Sequence, residues 1–229
     1  MMKATCCCVG FGEVEEGQVE DLKTLVEVIC GRKGRRYKVR VYNLKASSSS
    51  SSSSAERSGG RGHDAKQVWA EEDLEEKRYT YCTSGWMRSA AHVKGNVGQM
   101  ASLTETEIKS CGTKDEFHEH LQGLNLAVSH DYLKEGYCFD LIERGQETLL
   151  TEEAENKFQI TCRIVELKLC EEVEGILEAE TAFPGKWLVE LVAKASGADY
   201  TQAVGTFEDF ARKIHLVDIR SSAAISGAK

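Results

Sequence analysis

Phe158-Gln159-Ile160-Thr161-Cys162-Arg163-Ile164 sets an apolar side chain at every second position, and after Val165 the apolar phase moves to Leu167 and Leu169. Period two belongs to a strand with one face on a core. The change of phase predicts a bulge or a twist within it. Tyr137 to Ile142 reads as another strand, and Trp187 to Ala195 as a third. In the last, Trp187, Val189, Leu191 and Ala193 oppose Leu188, Glu190, Val192 and Lys194. These strands follow one another without helical crossovers, so the sheet is expected to be mostly antiparallel and curved or barrel-like.

Toward the N-terminus, Thr5 to Val14 reads as a strand. Val19, Leu22, Leu25, Val26 and Ile29 then recur at helical spacing, with Glu15, Glu16, Glu20 and Asp21 at the front and Gly31 as a stop. Tyr37, Val39 and Val41 alternate with Lys38 and Arg40 as a half-buried strand. Short strand-like pieces lie around Trp69, Tyr79 to Cys82, Trp86 to Val93, and Ile108 to Cys111. Thr113-Lys114-Asp115-Glu116 forms a capping box ahead of Phe117, Leu121 and Leu124, with Gly123 as the expected end of that helix. A last helix is expected over about 199–213, and Leu216 to Ile219 is apolar enough to pack back. The reading is an α+β fold with about three helices, a single domain over 1–229, and a frayed tail over 220–229.

Ser47 to Ser54 is a run of eight serines, followed by a Gly- and Arg-rich stretch. It has no apolar side chain to bury, so residues 46–65 are expected to form a disordered loop. The strand–helix–strand unit before it is too small to fold alone, and the loop is therefore not a domain boundary. The chain has one proline, so turns must rely on its 20 glycines and on Asn, Asp and Ser.

A net charge of -8 argues against a nucleic-acid surface, which needs clustered Lys and Arg. The nine cysteines are odd in number, form no CxxC pair and sit within apolar runs, the pattern of reduced, intracellular cysteines. No apolar run approaches the roughly 18–20 residues of a membrane helix, and the start lacks a secretory apolar region. No membrane association is expected.

Nucleophile elbow, P-loop, dinucleotide fingerprint and HExxH are all absent. His118 and His120 form an HxH. On a helix the two rings point about 200° apart and cannot share an ion from one face, whereas on a strand they could. Cys6, Cys7 and Cys8 would alternate between the faces of the first strand, with no second anchor for lipidation. Arg32-Lys33-Gly34-Arg35-Arg36 falls in a helix-to-strand turn, where it could meet a polyanion or an acidic partner, serve nuclear import, or be a solvated loop. Glu105-Thr106-Glu107-Ile108-Lys109 is an E-x-E-x-K in a strand, which puts Glu105, Glu107 and Lys109 on one face. The tunnel triphosphatases use that arrangement, with inward carboxylates on a divalent metal and basic rows on the triphosphate. Glu178 with Glu180 could add an acidic pair. Arg163, Lys168 and Lys186 are scattered and form no alternating basic row. The exposed face of an edge strand explains the same five residues. No cofactor, metal or catalytic activity is expected, with a metal-dependent triphosphatase as the alternative.

Three ordered blocks resemble the Mediator subunit 18 family. Gly10 to Val14, Gln18 to Gly31 and the basic strand to Lys45 are similar to its opening strand, helix and turn. Thr113 to Leu124 with Ser129-His130-Asp131-Tyr132-Leu133-Lys134-Glu135-Gly136-Tyr137-Cys138-Phe139 is similar to its helix and "K-x-G-x-x-F" strand. Trp187-Leu188-Val189-Glu190-Leu191, the helix with Phe207 and Phe210, and Ile214-His215-Leu216-Val217-Asp218-Ile219 are similar to its closing strand, helix and exit. The eight-serine insert departs from the pattern. The resemblance implies a barrel related to the RNA triphosphatase tunnel but without its catalytic set. It also implies a nuclear, non-catalytic scaffold in the Mediator head module. Its implied partners are Mediator subunit 20, a C-terminal segment of subunit 8 and the RNA polymerase II machinery.

Overall fold

The computed structural model describes residues 5–47, 67–86, 99–108, 113–141, 158–173, 176–195 and 200–221. Its strands close on one another. β1 (Thr5–Glu15) pairs with β5 (Gln99–Ile108), and the wall continues through β4 (Arg78–Trp86), β3 (Gln67–Asp73), β2 (Arg35–Ala46), β6 (Leu126–Leu141) and β7 (Phe158–Val173). β9 (Lys186–Ala195) then pairs with both β7 and β1 and completes the ring. Every pairing is antiparallel. Two short strands lie outside this ring: β8 (Ile176–Thr181) along the far half of β7, and β10 (Arg220–Ser221) beside Gly10 and Phe11. The fold is α+β, a curved antiparallel sheet with three α-helices among the described residues.

A closed eight-stranded wall has an interior about wide enough for side chains to fill. Tyr37, Val39, Val41, Cys138 and Val165 pack there with Trp69, Tyr132, Leu167 and Leu188. The outer face is covered by helices. α1 (Val19–Cys30) and α3 (Tyr200–Lys213) cover Phe139, Ile160, Cys162, Ile164, Val189 and Leu191. α2 (Lys114–Gly123) puts Phe117 and Leu121 on Tyr42, Ala70 and Tyr79, with the Phe117 and Tyr79 rings stacked at 4.6 Å.

The phase change in β7 is not a bulge. Its register runs without a shift against both β6 and β9. Ile160, Cys162 and Ile164 point out beneath the helices, while Val165 and Leu167 belong to the interior. The apolar phase moves because the covered face changes along one regular strand. The irregularity in the wall lies instead between β2 and β6, where Asn43 faces His130 and Leu44 faces Val128, so that Ser129 of β6 is the extra residue. Cys8 faces the helices and Cys7 the interior side with Val9 and Trp69, the alternation expected of β1.

The expected frayed tail begins with order. Arg220 and Ser221 pair with Phe11 and Gly10, because Val217 and Ile219 are buried just before them. Residues 222–229 and 48–66 lie outside the described residues, as does most of the strand expected at Trp86 to Val93. The strands on either side of 48–66 are neighbours, with Asn43 opposite Trp69.

The capping box of α2 is formed: Glu116 N–H donates to Thr113 Oγ1 at 3.3 Å, and Thr113 N–H to Glu116 Oε2 at 3.2 Å. The helix ends at Gly123, as expected. The left-handed position is Asn125, with φ 56°. A methyl group at Gly123 meets nothing within 4 Å. Gly123→Ala is therefore expected to stabilise by about 0.5–1 kcal/mol, by removing backbone entropy from the unfolded chain. Asn125→Ala is expected to destabilise by about 1 kcal/mol, because alanine tolerates the left-handed region poorly. Urea midpoints of the two variants should move in opposite directions.

Candidate site in the barrel interior

Among the apolar side chains of the interior, three neighbouring strands contribute an ion cluster. Arg163 of β7 lies directly opposite Glu190 of β9, and Lys134 of β6 reaches the same carboxylate. Lys134 Nζ donates to Glu190 Oε1 at 2.6 Å, and Arg163 Nη1 to Glu190 Oε2 at 3.5 Å. One carboxylate is thus held by two cations, and Glu190 is 4% exposed. Gly136 lets the wall come this close: a methyl group there would sit 2.1 Å from the Ile164 carbonyl oxygen. Aromatic rings complete the enclosure, with Arg163 5.0 Å from the Tyr37 ring centroid and Lys134 5.8 Å from that of Tyr132. Trp69 Nε1 donates to Glu71 Oε1 at 3.1 Å, and the Glu71 charge acts on both cations.

Burial is the largest influence on each ion and opposes its charge. It raises the pKa of Glu190, but Lys134 and Arg163 outweigh it and hold the carboxyl below its ordinary value. Burial likewise lowers that of Lys134, and Glu190, Tyr132 and Glu71 together more than offset this, so the lysine stays protonated. Arg163 is held above its ordinary value against burial by Tyr37 and Glu190. Burial pushes the thiols of Cys8 and Cys30 up, to about 12 and about 11. They are therefore small apolar side chains and not nucleophiles at neutral pH. The one buried side-chain polar atom without a hydrogen-bond partner among the described residues is Arg163 Nε.

Of the residues named from sequence, Arg163 is in the interior. Lys168 lies on the outer face, paired with Glu135 at 2.9 Å and Glu166 at 3.2 Å. Lys186 is exposed and pairs with Glu13, and Glu178 and Glu180 are exposed on β8. The backbone register sets Glu105 opposite Cys82 and Glu107 opposite Thr80. Cys82 and Thr80 lie opposite Trp69 and Glu71, so positions 105 and 107 are on the strand face that continues the interior. Lys109 lies outside the described residues. His118 and His120 are on α2, and His118 Nδ1 is 2.8 Å from the Lys114 carbonyl oxygen. Among the described residues no three His, Cys, Asp or Glu side chains are grouped to hold a metal ion, and no helix is long and apolar enough to cross a membrane.

Sequence reasoning passed over Lys134, Glu71 and Glu190. Glu190 alone left a signal, an acid in the centre of the apolar strand Trp187 to Ala195. Lys134 and Glu71 sit in stretches where charge on alternate positions reads as a solvated face.

No family model matches the chain, and no curated protein matches it. Solved structures do. The chain is similar to one in the Mediator head module of Schizosaccharomyces pombe, with TM-score 0.64 and 10% identity over 94% of this chain and 98% of that one. It is also similar to a conserved hypothetical protein of Pyrococcus furiosus, with TM-score 0.50 and 9% identity over 93% of this chain and 94% of that one. A Pyrococcus horikoshii protein matches with TM-score 0.50 and 11% identity over 93% of each chain. At these identities the likeness defines a shared barrel fold, which does not fix function.

Proposed function

We propose that the chain is a non-catalytic subunit of the Mediator head module, a nuclear coactivator scaffold that acts through protein binding. The observation that carries this reading is the state of the barrel interior. A triphosphate site needs cations left free for phosphate oxygens. Here Lys134 and Arg163 both converge on Glu190, and three aromatic rings occupy the space around them. Near-complete mutual coverage with the head-module chain, at a higher TM-score than the Pyrococcus proteins, supports the assembly role. The resemblance over residues 9–45 and 66–220 supplies the finer reading: a heterodimer with Mediator subunit 20, tethered by a C-terminal segment of subunit 8.

The test is co-expression with subunit 20, with and without the subunit 8 segment. The expected result is a stoichiometric complex, with the chain alone poorly soluble. A well-behaved monomer with no affinity for subunit 20 in a pull-down would overturn the pairing.

A second reading, the metal-dependent tunnel triphosphatase, is favoured by the register that aligns positions 105 and 107 with Glu71 on the interior face. It predicts phosphate release from a nucleoside triphosphate with Mg²⁺ or Mn²⁺, abolished by Glu105→Ala with Glu107→Ala. The scaffold reading predicts no turnover above a blank.

A further inference from the structure

The end of α1 and the start of β2 gather positive charge in a chain whose net charge is -8. Arg32, Lys33, Arg35 and Arg36 are all exposed around the left-handed C-cap Gly31. Three carboxylates among the described residues of α1 and β6 are already engaged. Glu20 pairs with Lys23 at 3.1 Å, Glu27 accepts from Gly34 N–H at 3.2 Å, and Asp140 faces Arg35 at 3.7 Å. Arg32, Lys33 and Arg36 therefore have no carboxylate partner among the described residues. Lys23 and Arg36 both lie over the Tyr137 ring, at 4.4 and 5.9 Å from its centroid. This ties the helix and the strand into one cationic surface. Attraction to the helix dipole accounts for Arg32 and Lys33 beside the C-terminus of α1. It does not account for Arg36 on β2. Nor does it explain Val28 in the last turn of α1, 75% exposed and the most exposed large apolar side chain among the described residues.

From this surface we infer a docking site for an acidic protein segment carrying a bulky apolar side chain, with Arg32, Lys33 and Arg36 meeting its carboxylates and Val28 its apolar residue. Charge complementarity selects an acidic partner, because like charges on one turn that have no carboxylate partner among the described residues repel one another until an anion separates them. The exposed Val28 and the overall negative charge favour a peptide over nucleic acid, whose backbone offers phosphates alone along the path of such a patch. The site lies on the outside of the barrel and does not depend on the assembly reading.

The probe is a fluorescein-labelled peptide of aspartates around a central leucine, titrated with the full chain and followed by anisotropy. The expected result is binding that weakens as salt rises. Arg32→Glu/Lys33→Glu/Arg36→Glu should weaken it by about tenfold or more, since several rim charges reverse sign together. Val28→Ser, or alanine in place of the peptide's leucine, should weaken it by a smaller factor. A control with the same change in net charge, Lys45→Glu/Lys77→Glu/Arg212→Glu, should leave it nearly unchanged. All substituted side chains are exposed, and unchanged circular dichroism should show that every variant folds. The inference is overturned by absence of binding to the natural chain, or by equal loss in the control. Tighter binding of a duplex oligonucleotide than of the peptide would overturn the acidic-segment assignment.

Discussion

Glu190→Gln is expected to destabilise the fold by about 3–5 kcal/mol, the cost of leaving buried cations without their counter-ion. Lys134 and Arg163 share this one carboxylate inside the barrel, with side-chain exposures of 11% and 18%. Glutamine keeps the volume, so packing contributes little to the loss. Denaturant unfolding of the two proteins measures it, and a difference below about 1 kcal/mol would show that the triad is not integral to the fold. Replacing all three ions by apolar residues of similar size should come out near neutral, because the desolvation penalty goes with the charges. The pH dependence has a definite sign. The folded pKa of Glu190 is lowered, so its stabilisation is present above the unfolded value of about 4.3 and is lost as pH falls through the folded one. That of Lys134 is raised, so its contribution is present below the unfolded value of about 10.4 and is lost as pH rises through the folded one. The natural chain should therefore hold a stability plateau between about pH 5 and 10 from this pair, and Glu190→Gln should lose it.

Gly136→Ala should be nearly as damaging, at about 3 kcal/mol or more, at the upper end of overpacking costs. The added carbon would stand 2.1 Å from the Ile164 carbonyl oxygen and 2.9 Å from Val165 Cα. Both are backbone atoms of the neighbouring strand, so no rotamer change relieves the contact and β6 must part from β7. That separation would pull Lys134, two residues away on the same face, from Glu190. A fall in stability with a slower loss of Lys134 amide exchange protection than of Tyr137 would argue against this route. An unchanged melting temperature would remove the packing argument altogether.

Elements whose signals are local were legible. The capping box at Thr113 satisfies two backbone donors by itself, and Val19, Leu22 and Val26 are buried on one side of α1 as their spacing requires. Elements held by their neighbours were not. β6 begins at Leu126 and not near Tyr137, because its first half, with Ser129 and His130 exposed, is a strand only through pairing with β2. The short β10 forms because Val217 and Ile219 close against Gly12 and Gly10, where no side chain stands in the way.

Alternation along each strand decided which residues share a face, since successive side chains leave a strand on opposite sides. From that alone came the opposed faces of Cys7 and Cys8 and the common face of positions 105 and 107, whereas the antiparallel arrangement followed from the lack of helical crossovers between strands. Alternation does not say which face is turned inward, nor what stands across the barrel. Lys134, Arg163 and Glu190 lie on three strands, and Lys134 and Glu190 are 56 residues apart. Ring closure between β9 and β1 is what removes their face from water. Coulomb attraction between them becomes strong only after that burial, so the ion cluster is a product of the tertiary fold.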